Sequence, residues 1–365
     1  MDSLSRLSQL RRRIAGKELD ALLISQPENR RYIAGFTGSE GYVIVSATAA
    51  VLAVDFRYVE QSKRESPGFS LVQIRGGIED WLPGLVSDLK LQRLGFEADY
   101  LSFAAYQKLV ELARRLKVQV LPAQGLCESL RAVKDTAELD SIKKAVDMAE
   151  AAMELARQLI RPGVTEREVA WQLEKYLREK GSGAMPFEII VASGPNAALP
   201  HAHPSDRPIA EGEPVLLDLG ARIDGYCSDL SRTFCPGRED GTFAKIYDLV
   251  LGAQLTAAAT IKPGMTGAEA DQLARGVIEL AGYGDKFGHG LGHGVGLAVH
   301  EVPGVGARST DVLEEGMVFT VEPGIYLPEW GGVRIEDVAV IRQGKVELLS
   351  GKLSPTASQP ILARQ

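Results

Sequence analysis

This chain of 365 residues is poor in several features that would point to other classes of protein. Its three cysteines, Cys127, Cys227 and Cys235, are an odd number without CxxC spacing, which argues against a disulfide framework and predicts reduced thiols. No apolar run is long enough to span a bilayer, and the charged N-terminus is typical of an amphipathic helix rather than a signal sequence. Acidic residues outnumber basic ones by 48 to 41, and the net charge of −7 argues against general nucleic-acid binding. We therefore expect a cytoplasmic protein that has no nucleic-acid or membrane partner.

The length of the chain and its hydrophobic pattern predict two domains. Residues 1–130 alternate helical periodicity with short apolar runs typical of strands, such as 21–24 and 50–54, so we predict an α/β domain there. The segment 131–138 is polar and charged and leads into a long helical pattern. We place the domain boundary at this segment, which makes residues 131–365 the second domain.

An internal repeat divides the second predicted domain. The segment 160–168 ends one helix at a Pro-Gly pair and starts the next with a capping box of Thr165 and Glu168. The same pattern returns 101 residues later, at 261–269, and each copy precedes a helix that ends in glycine. Two similar halves are therefore expected within this α+β domain.

The first half contains a predicted β-hairpin, residues 215–229, with one carboxylate on each arm. An Asp-Gly turn signal lies at 224–225. If the turn is centred between residues 223 and 224, Asp218 and Asp229 face each other with Cβ atoms about 4.5–5.5 Å apart. If the turn slips so that the strand pairing shifts by one residue, one of the two aspartates faces water instead.

The second half supplies a matching hairpin about a hundred residues later. The arm 318–326 carries Glu322, and the returning arm 332–340 carries Glu336. A turn centred near Glu329 would set these two glutamates opposite each other. The repeat therefore predicts two hairpins, related by approximate two-fold symmetry, that direct four carboxylates into one cleft.

The histidines are few and confined to two short stretches of the second domain. They are His201, His203, His289, His293 and His300. A single histidine is more often a hydrogen-bonded structural residue than a ligand. Five histidines close to a predicted carboxylate cluster favour a functional site.

Four carboxylates in an apolar cleft repel one another, so protonation or bound cations must offset the repulsion. Two divalent cations would neutralise the four negative charges. Oxygen ligands with an imidazole suit Mn²⁺, Co²⁺ or Zn²⁺. Two such ions about 3.5–4 Å apart ionise a bridging water near neutral pH. The pattern is typical of a hydrolytic dinuclear site.

The order and spacing of Asp218, Asp229, His293, Glu322 and Glu336 resemble the five metal ligands of the prolidase and aminopeptidase P family. That family has a pita-bread catalytic domain, and the resemblance covers residues 130 to 345. The segments 32–38 and 55–58 resemble its creatinase-type N-terminal domain.

The resemblance also implies roles for these ligands. Asp218 would hold one metal ion and His293 and Glu322 the other, with Asp229 and Glu336 bridging both. Mn²⁺ is the expected metal, with Co²⁺ or Zn²⁺ as alternatives. Glu322 would also accept the proton of the nucleophilic water.

Further site residues are implied by the same resemblance. His201 and His300 would contact the substrate and stabilise the tetrahedral intermediate, and His289 would line the substrate pocket. Arg334 would contact the substrate or form a salt bridge to a ligand carboxylate. From its place in the loop before the first hairpin, His203 is expected either to be structural or to support the residues that contact the metal or the substrate.

The implied activity is cleavage of the peptide bond before proline, as an Xaa-Pro dipeptidase. The alternatives are an aminopeptidase P and a non-catalytic pita-bread binding module. Some prolidases carry an arginine three residues after the Glu of the Val-His-Glu segment, where this chain has Gly304. The choice between dipeptidase and aminopeptidase is therefore open at this stage. A homodimer is expected from relatives alone.

Overall fold

The structure is a computed structural model and describes residues 3–351, with side chains from residue 5 onward. Residues 352–365 of the predicted second domain lie outside this range. Packing divides the chain into two compact units, Met1–Arg131 and Ala132–Gln365. Among the described residues, none of the helices combines the length and the apolar character that crossing a membrane requires.

The first unit is the predicted α/β domain. Its helices are α1 Ser3–Gly16, α2 Pro27–Ala34, α3 Val59–Glu65, α4 Ile78–Asp88, α5 Phe103–Leu116 and α6 Glu128–Ala132, with a 3₁₀ turn at Phe56–Tyr58. Its strands are β1 Ala21–Ile24, β2 Tyr42–Ser46, β3 Ala50–Val54, β4 Ser70–Gln73, β5 Arg93–Glu97 and β6 Gln119–Ala123. They form one mixed sheet in the order β4-β3-β2-β1-β5-β6. The four apolar residues of β1 are all buried because β1 lies inside this sheet.

The second unit has helices and short sheets in two halves. The helices are α7 Thr136–Leu159, α8 Glu166–Glu179, α9 Gly241–Thr260 and α10 Gly267–Leu280, with 3₁₀ turns at Gly194–Ala198 and Gly284–Lys286. The strands of the first half are β7 Ile190–Ser193, β8 Val215–Leu219, β9 Arg222–Ile223, β10 Tyr226–Cys227 and β11 Leu230–Phe234. Those of the second half are β12 Gly292–Gly294, β13 Glu301–Val305, β14 Val318–Val321, β15 Gly324–Leu327, β16 Gly331–Arg334, β17 Asp337–Arg342 and β18 Lys345–Leu348. The main sheets run β11-β8-β7 and β13-β12-β14-β17-β18.

The predicted repeat is confirmed in local geometry. Thr165 caps α8 by accepting a hydrogen bond from the Glu168 amide, and the equivalent capping box starts α10. Gly163 and Gly264, just before the two caps, both have a φ of +91°. Glycine adopts this left-handed conformation without steric cost, so it can end one helix immediately before the next begins.

The first hairpin forms with a register that differs from the predicted one. Asp218 pairs with Ser231 rather than with Asp229. Asp224 and Gly225 have φ values of +49° and +82°, so both occupy the centre of the turn. The centre therefore lies one residue later than predicted, and every pairing shifts by two. The prediction that the two aspartates face each other directly is wrong, but a shift of two keeps both on the same face.

The second hairpin has the predicted register. The pairs Val321–Asp337 and Gly324–Arg334 flank the two glutamates and set Glu322 opposite Glu336. Both glutamates lie at the breaks between consecutive strands, where the chain passes from one short sheet to the next. The two glutamates therefore lie between strands rather than within one.

Candidate metal centre

One cavity of about 380 Å³ in the second unit collects the predicted site residues. It is lined by His201, Asp218, Asp229, His289, His293, His300, Glu322, Arg334 and Glu336, together with His203. Phe187, Ile190 and Pro200 add an apolar wall. The structure thus brings together side chains from both hairpins and from both histidine stretches.

The imidazole of His293 points at the carboxylates. Its Nε2 lies 3.6 Å from Asp229 Oδ2 and 3.5 Å from Glu322 Oε1. One ligand atom each of Asp229, His293 and Glu336 lie within 4.8 Å of one another. The two Nε2 separations are longer than ordinary hydrogen bonds. They suit donor atoms that converge on a shared cation.

The carboxylates of the cluster are hard to ionise together in the metal-free protein. Burial raises the pKa of Asp229 well above its ordinary value, and the charges of Glu336 and Asp218 raise it further. Burial, with the charge of Glu322, does the same to the pKa of Glu336. Burial also raises the pKa of Glu322 to about 8. A positive charge close to these acids would favour their ionised forms and lower the raised pKa values.

Two buried oxygen atoms of the cluster lack a hydrogen bond from any described residue. They are Oδ1 of Asp218 and Oδ1 of Asp229. A buried acceptor without a donor is costly, and native proteins normally satisfy it. A cation would satisfy both atoms and would also offset the repulsion between the acids. The donor set, carboxylate oxygens with one imidazole, therefore fits divalent metal ions.

Burial also favours the neutral form of His293 and His300. It lowers the pKa of His293 to about 4, and the neighbouring His300 contributes. Burial likewise lowers the pKa of His300, whose ring centroid lies 4.2 Å from that of His293. A neutral imidazole is the form that binds a metal ion. His203, in contrast, is exposed and bonds through Nδ1 to Glu188 Oε2 at 2.6 Å.

Arg334 is engaged with the cluster itself. Its Nη2 donates to Asp218 Oδ2 at 2.6 Å, and its Nε donates to Ser231 Oγ at 2.8 Å. Burial alone would lower the pKa of Arg334, but the negative charges around it outweigh that effect and raise the pKa. This geometry favours the salt bridge to a candidate ligand over direct substrate contact.

Ser231 links the two hairpins. Its hydroxyl donates to Glu336 Oε2 at 2.8 Å, and its carbonyl accepts from the Glu336 amide at 3.1 Å. Because Ser231 is also the strand partner of Asp218, one residue fixes a carboxylate of each hairpin. Such supporting hydrogen bonds orient metal ligands.

His289 and Tyr326 form a second supporting pair at the cavity wall. The Tyr326 hydroxyl accepts from Arg334 Nη1 at 2.9 Å, so it donates its own proton to His289 Nε2 at 2.8 Å. His289 Nδ1 then donates to the Gly290 carbonyl at 2.8 Å. Burial lowers the pKa of His289 to about 4, in keeping with a neutral ring.

Sequence reasoning missed the supporting residues Ser231, Tyr326 and Glu188. Ser231 and Tyr326 lie two and four residues after Asp229 and Glu322, a spacing that keeps alternate residues of an extended segment on one face. This alternation could have identified Ser231 and Tyr326 from the sequence. Glu188 carries no such signal, because only the fold brings it to His203.

Comparison with known proteins agrees with this geometry. Residues 140–343 match the model of metallopeptidase family M24, and residues 6–133 match the creatinase/prolidase N-terminal domain. An Xaa-Pro dipeptidase of Pyrococcus furiosus is 36% identical over 94% of this chain and 97% of its own length. A solved Xaa-Pro dipeptidase from Bacillus anthracis superposes with a TM-score of 0.92 at 42% identity, covering 96% of this chain and 98% of that one.

A solved X-Pro aminopeptidase from Thermotoga maritima is also similar, with a TM-score of 0.84 and 36% identity over 93% of this chain and 97% of that one. Relatives named for either activity therefore share the fold over nearly the whole chain. The predicted pita-bread architecture and the predicted family are both confirmed. The chain belongs to metallopeptidase family M24.

Proposed function

We propose that this protein is a dinuclear metal-dependent Xaa-Pro dipeptidase, which hydrolyses the peptide bond preceding proline. The observation that carries the proposal is the cluster of buried Asp229 and Glu336 with the partly buried Asp218 and Glu322 around His293, with two buried acceptor atoms that lack donors among the described residues. Relatives named Xaa-Pro dipeptidase over almost the full chain support the substrate class. In this proposal residues 131–365 perform the chemistry, and residues 1–130 form the creatinase-like domain.

The proposed ligands divide between two metal ions. Asp218 would help to hold one ion and His293 and Glu322 the other, and Asp229 and Glu336 would contribute to both. When bound, the ions lower the pKa of a shared water so that hydroxide is available near neutral pH. We propose Mn²⁺ as the metal, with Co²⁺ or Zn²⁺ as alternatives, because carboxylates supply most of the donor atoms.

The remaining residues bind substrate and move protons. Glu322 accepts the proton of the attacking water, because its carboxylate lies at the cavity beside the other proposed ligands. His201 and His300 line the cavity beside the cluster and stabilise the negative charge that develops on the carbonyl oxygen. His289 lines the substrate pocket, and Arg334 at the same wall holds Asp218 through its salt bridge.

The substrate preference follows from the chemistry of proline. The bond before proline has no N–H group, so an enzyme must recognise the ring by shape. Phe187, Ile190 and Pro200 give the cavity an apolar wall for this purpose. An aminopeptidase P is the second candidate, favoured by the similarity to the Thermotoga maritima enzyme.

The test uses protein that has been freed of metal with a chelator. Addition of Mn²⁺ is expected to restore hydrolysis of Ala-Pro, while Ala-Ala remains uncleaved. Cleavage of Ala-Pro-Ala as well would favour the aminopeptidase P alternative. Full activity after exhaustive chelation, or no cleavage of any Xaa-Pro substrate with Mn²⁺, Co²⁺ or Zn²⁺, would contradict the proposal.

A homodimer in the cytoplasm is a further part of the proposal. It is supported by the family resemblance and by the burial of all three cysteines, which suits reduced thiols. Size-exclusion chromatography with light scattering should give twice the chain mass of 39.4 kDa. A monomeric mass at micromolar concentration would contradict the dimer without affecting the proposed chemistry.

A further inference from the structure

A buried ion pair ties the first residues of the second unit to the loop that carries His300. Lys134 Nζ lies 2.8 Å from Glu301 Oε1, and the two side chains are only 1% and 5% exposed. The ammonium also donates to the Ala132 carbonyl at 3.2 Å. Exposed ion pairs contribute little, whereas loss of one partner of a buried pair leaves an uncompensated charge. Separation of the ammonium from the carboxylate would therefore be energetically costly.

Glu301 lies at the C-terminal end of the loop that joins His293 to His300. It follows His300 directly and begins β13. Its Oε2 accepts a hydrogen bond from the Ala298 amide at 3.3 Å. Its backbone pairs with Gly294, the residue after His293. The carboxylate and the backbone of one residue thus fix both ends of this loop.

The same loop reaches the first hairpin. A Cβ on Gly296 would lie 2.3 Å from Glu301 Oε1, so the loop backbone packs directly against that carboxylate. The Gly296 carbonyl accepts a hydrogen bond from the Cys227 amide at 2.7 Å. Cys227 lies two residues before Asp229. A displacement of Glu301 would therefore be transmitted to a proposed metal ligand on the other hairpin.

The lysine end of the pair is anchored to the second hairpin. The Lys134 amide donates to the Gly316 carbonyl at 2.9 Å, and Val133 forms a β-bridge with Met317. Met317 leads into β14, which ends one residue before Glu322. The pair therefore joins the strand that leads to one ligand with the loop that follows another.

We propose that Lys134 is a positioning residue for His293 and His300, and that it acts through Glu301. The ammonium holds the Glu301 carboxylate where it can bind the Ala298 amide, and the loop then sets the two imidazoles against the carboxylate cluster. Lys134 lies outside the cavity and does not touch the substrate. This inference rests on the proposed function for its kinetic test, but not for its metal-binding test.

The kinetic test replaces the ammonium with an apolar group of similar length. In K134M the kcat for Ala-Pro at saturating Mn²⁺ should fall by about 10- to 100-fold, because small displacements of catalytic groups have effects of this size. The KM should change by less than about threefold, since the cavity wall is untouched. The affinity for Mn²⁺, measured by calorimetry on metal-free protein, should weaken by about tenfold.

A second variant separates positioning from general destabilisation. K134M/E301Q removes both charges of the pair, and the amide oxygen of the new side chain can still accept from Ala298. This double variant should recover most of the lost kcat and Mn²⁺ affinity. The matched control is R207M, which removes a partly buried ion pair to Glu213 in the same unit, away from the cavity. It should lower Tm while leaving kcat unchanged.

Several outcomes would overturn the inference. A folded K134M with wild-type kcat and Mn²⁺ affinity would do so, and so would an R207M that loses as much kcat at an equal fall in Tm. If K134M does not fold, K134M/E301L decides, since it removes both charges of the pair and also the acceptor of the Ala298 amide. A folded K134M/E301L with wild-type kcat and Mn²⁺ affinity would refute the role. A wild-type protein without Xaa-Pro activity would contradict the proposed function alone, and Mn²⁺ affinity would still decide this inference.

Discussion

The two carboxylate hairpins share one plan and differ in how their turns set the register. In the second hairpin Glu322 lies opposite Glu336. In the first, Asp218 lies opposite Ser231, and Asp229 is displaced along the strand. Because of this difference, Ser231 rather than Asp229 lies opposite Asp218. The Ser231 hydroxyl donates a hydrogen bond to Glu336. An inexact repeat can therefore supply both the ligands and the hydrogen bonds that hold them.

The largest expected effect compares the proposed bridging ligands of the two hairpins. Asp229→Asn and Glu336→Gln each remove one charge from the cluster and should lower kcat/KM for Ala-Pro by more than about 100-fold, beyond the usual effect of a supporting residue. Asp206→Asn, which changes an exposed carboxylate of the same unit, is the control and should leave activity unchanged. Retention of activity in one of the two ligand variants would show that the hairpins are not equivalent.

The next effect concerns the residues that support the ligands across the hairpins. Arg334→Met removes the hydrogen bond to Asp218, and Ser231→Ala removes the one to Glu336. Each should weaken Mn²⁺ binding by about 10- to 100-fold, with the larger loss for Arg334 because its bond to Asp218 joins two opposite charges. Calorimetric titration of the metal-free variants measures this. Unchanged affinity in both would mean that the cross-hairpin bonds do not orient the ligands.

A smaller effect tests whether the acids of the two hairpins repel one another. The raised pKa values of Asp229, Glu336 and Glu322 mean that the native metal-free protein holds protons which the unfolded chain has released. This contribution to stability is complete below the ordinary pKa of about 4.5 and is lost as the pH rises through about 8. The Tm with chelator should therefore fall between pH 7 and pH 9, and Mn²⁺ should flatten the dependence. Below this range the lowered pKa values of His289, His293 and His300 oppose the effect, because these residues stabilise the native state more as the pH rises toward 6.5. A Tm of the metal-free protein that rises between pH 7 and pH 9 would contradict the mutual repulsion.

The smallest effect distinguishes the two turns. Gly225 has a φ of +82°, so Gly225→Ala should lower the free energy of unfolding by about 1 kcal/mol. Glu329, at the turn of the second hairpin, has a φ of +71°, so Glu329→Gly should be neutral or stabilising by up to about 1 kcal/mol. Denaturant unfolding of metal-free protein measures both. A destabilisation of equal size in the two variants would indicate that left-handed backbone strain does not distinguish them.

Local pattern predicted more of the fold than of the site's fine geometry. The apolar run of β1 and the capping boxes of Thr165 and Thr266 are local signals, and each appears where it was predicted. The register of the first hairpin depended on which two residues occupy the turn. The Asp-Gly pair marked the turn, but we centred it one residue too early, and the positive φ of Asp224 shows why.

The sequence by itself determined the architecture of two units, the repeated hairpins, and the identity of the acids and histidines that meet in the cavity. These features follow from periodicity, turn chemistry and the cost of gathering like charges. Only the tertiary structure decided that Arg334 bonds to Asp218, that Ser231 joins the hairpins, and that Lys134 pairs with Glu301. Each of these contacts joins residues more than a hundred positions apart. Side-chain reach across such distances is set by how the halves pack, and no local pattern encodes it.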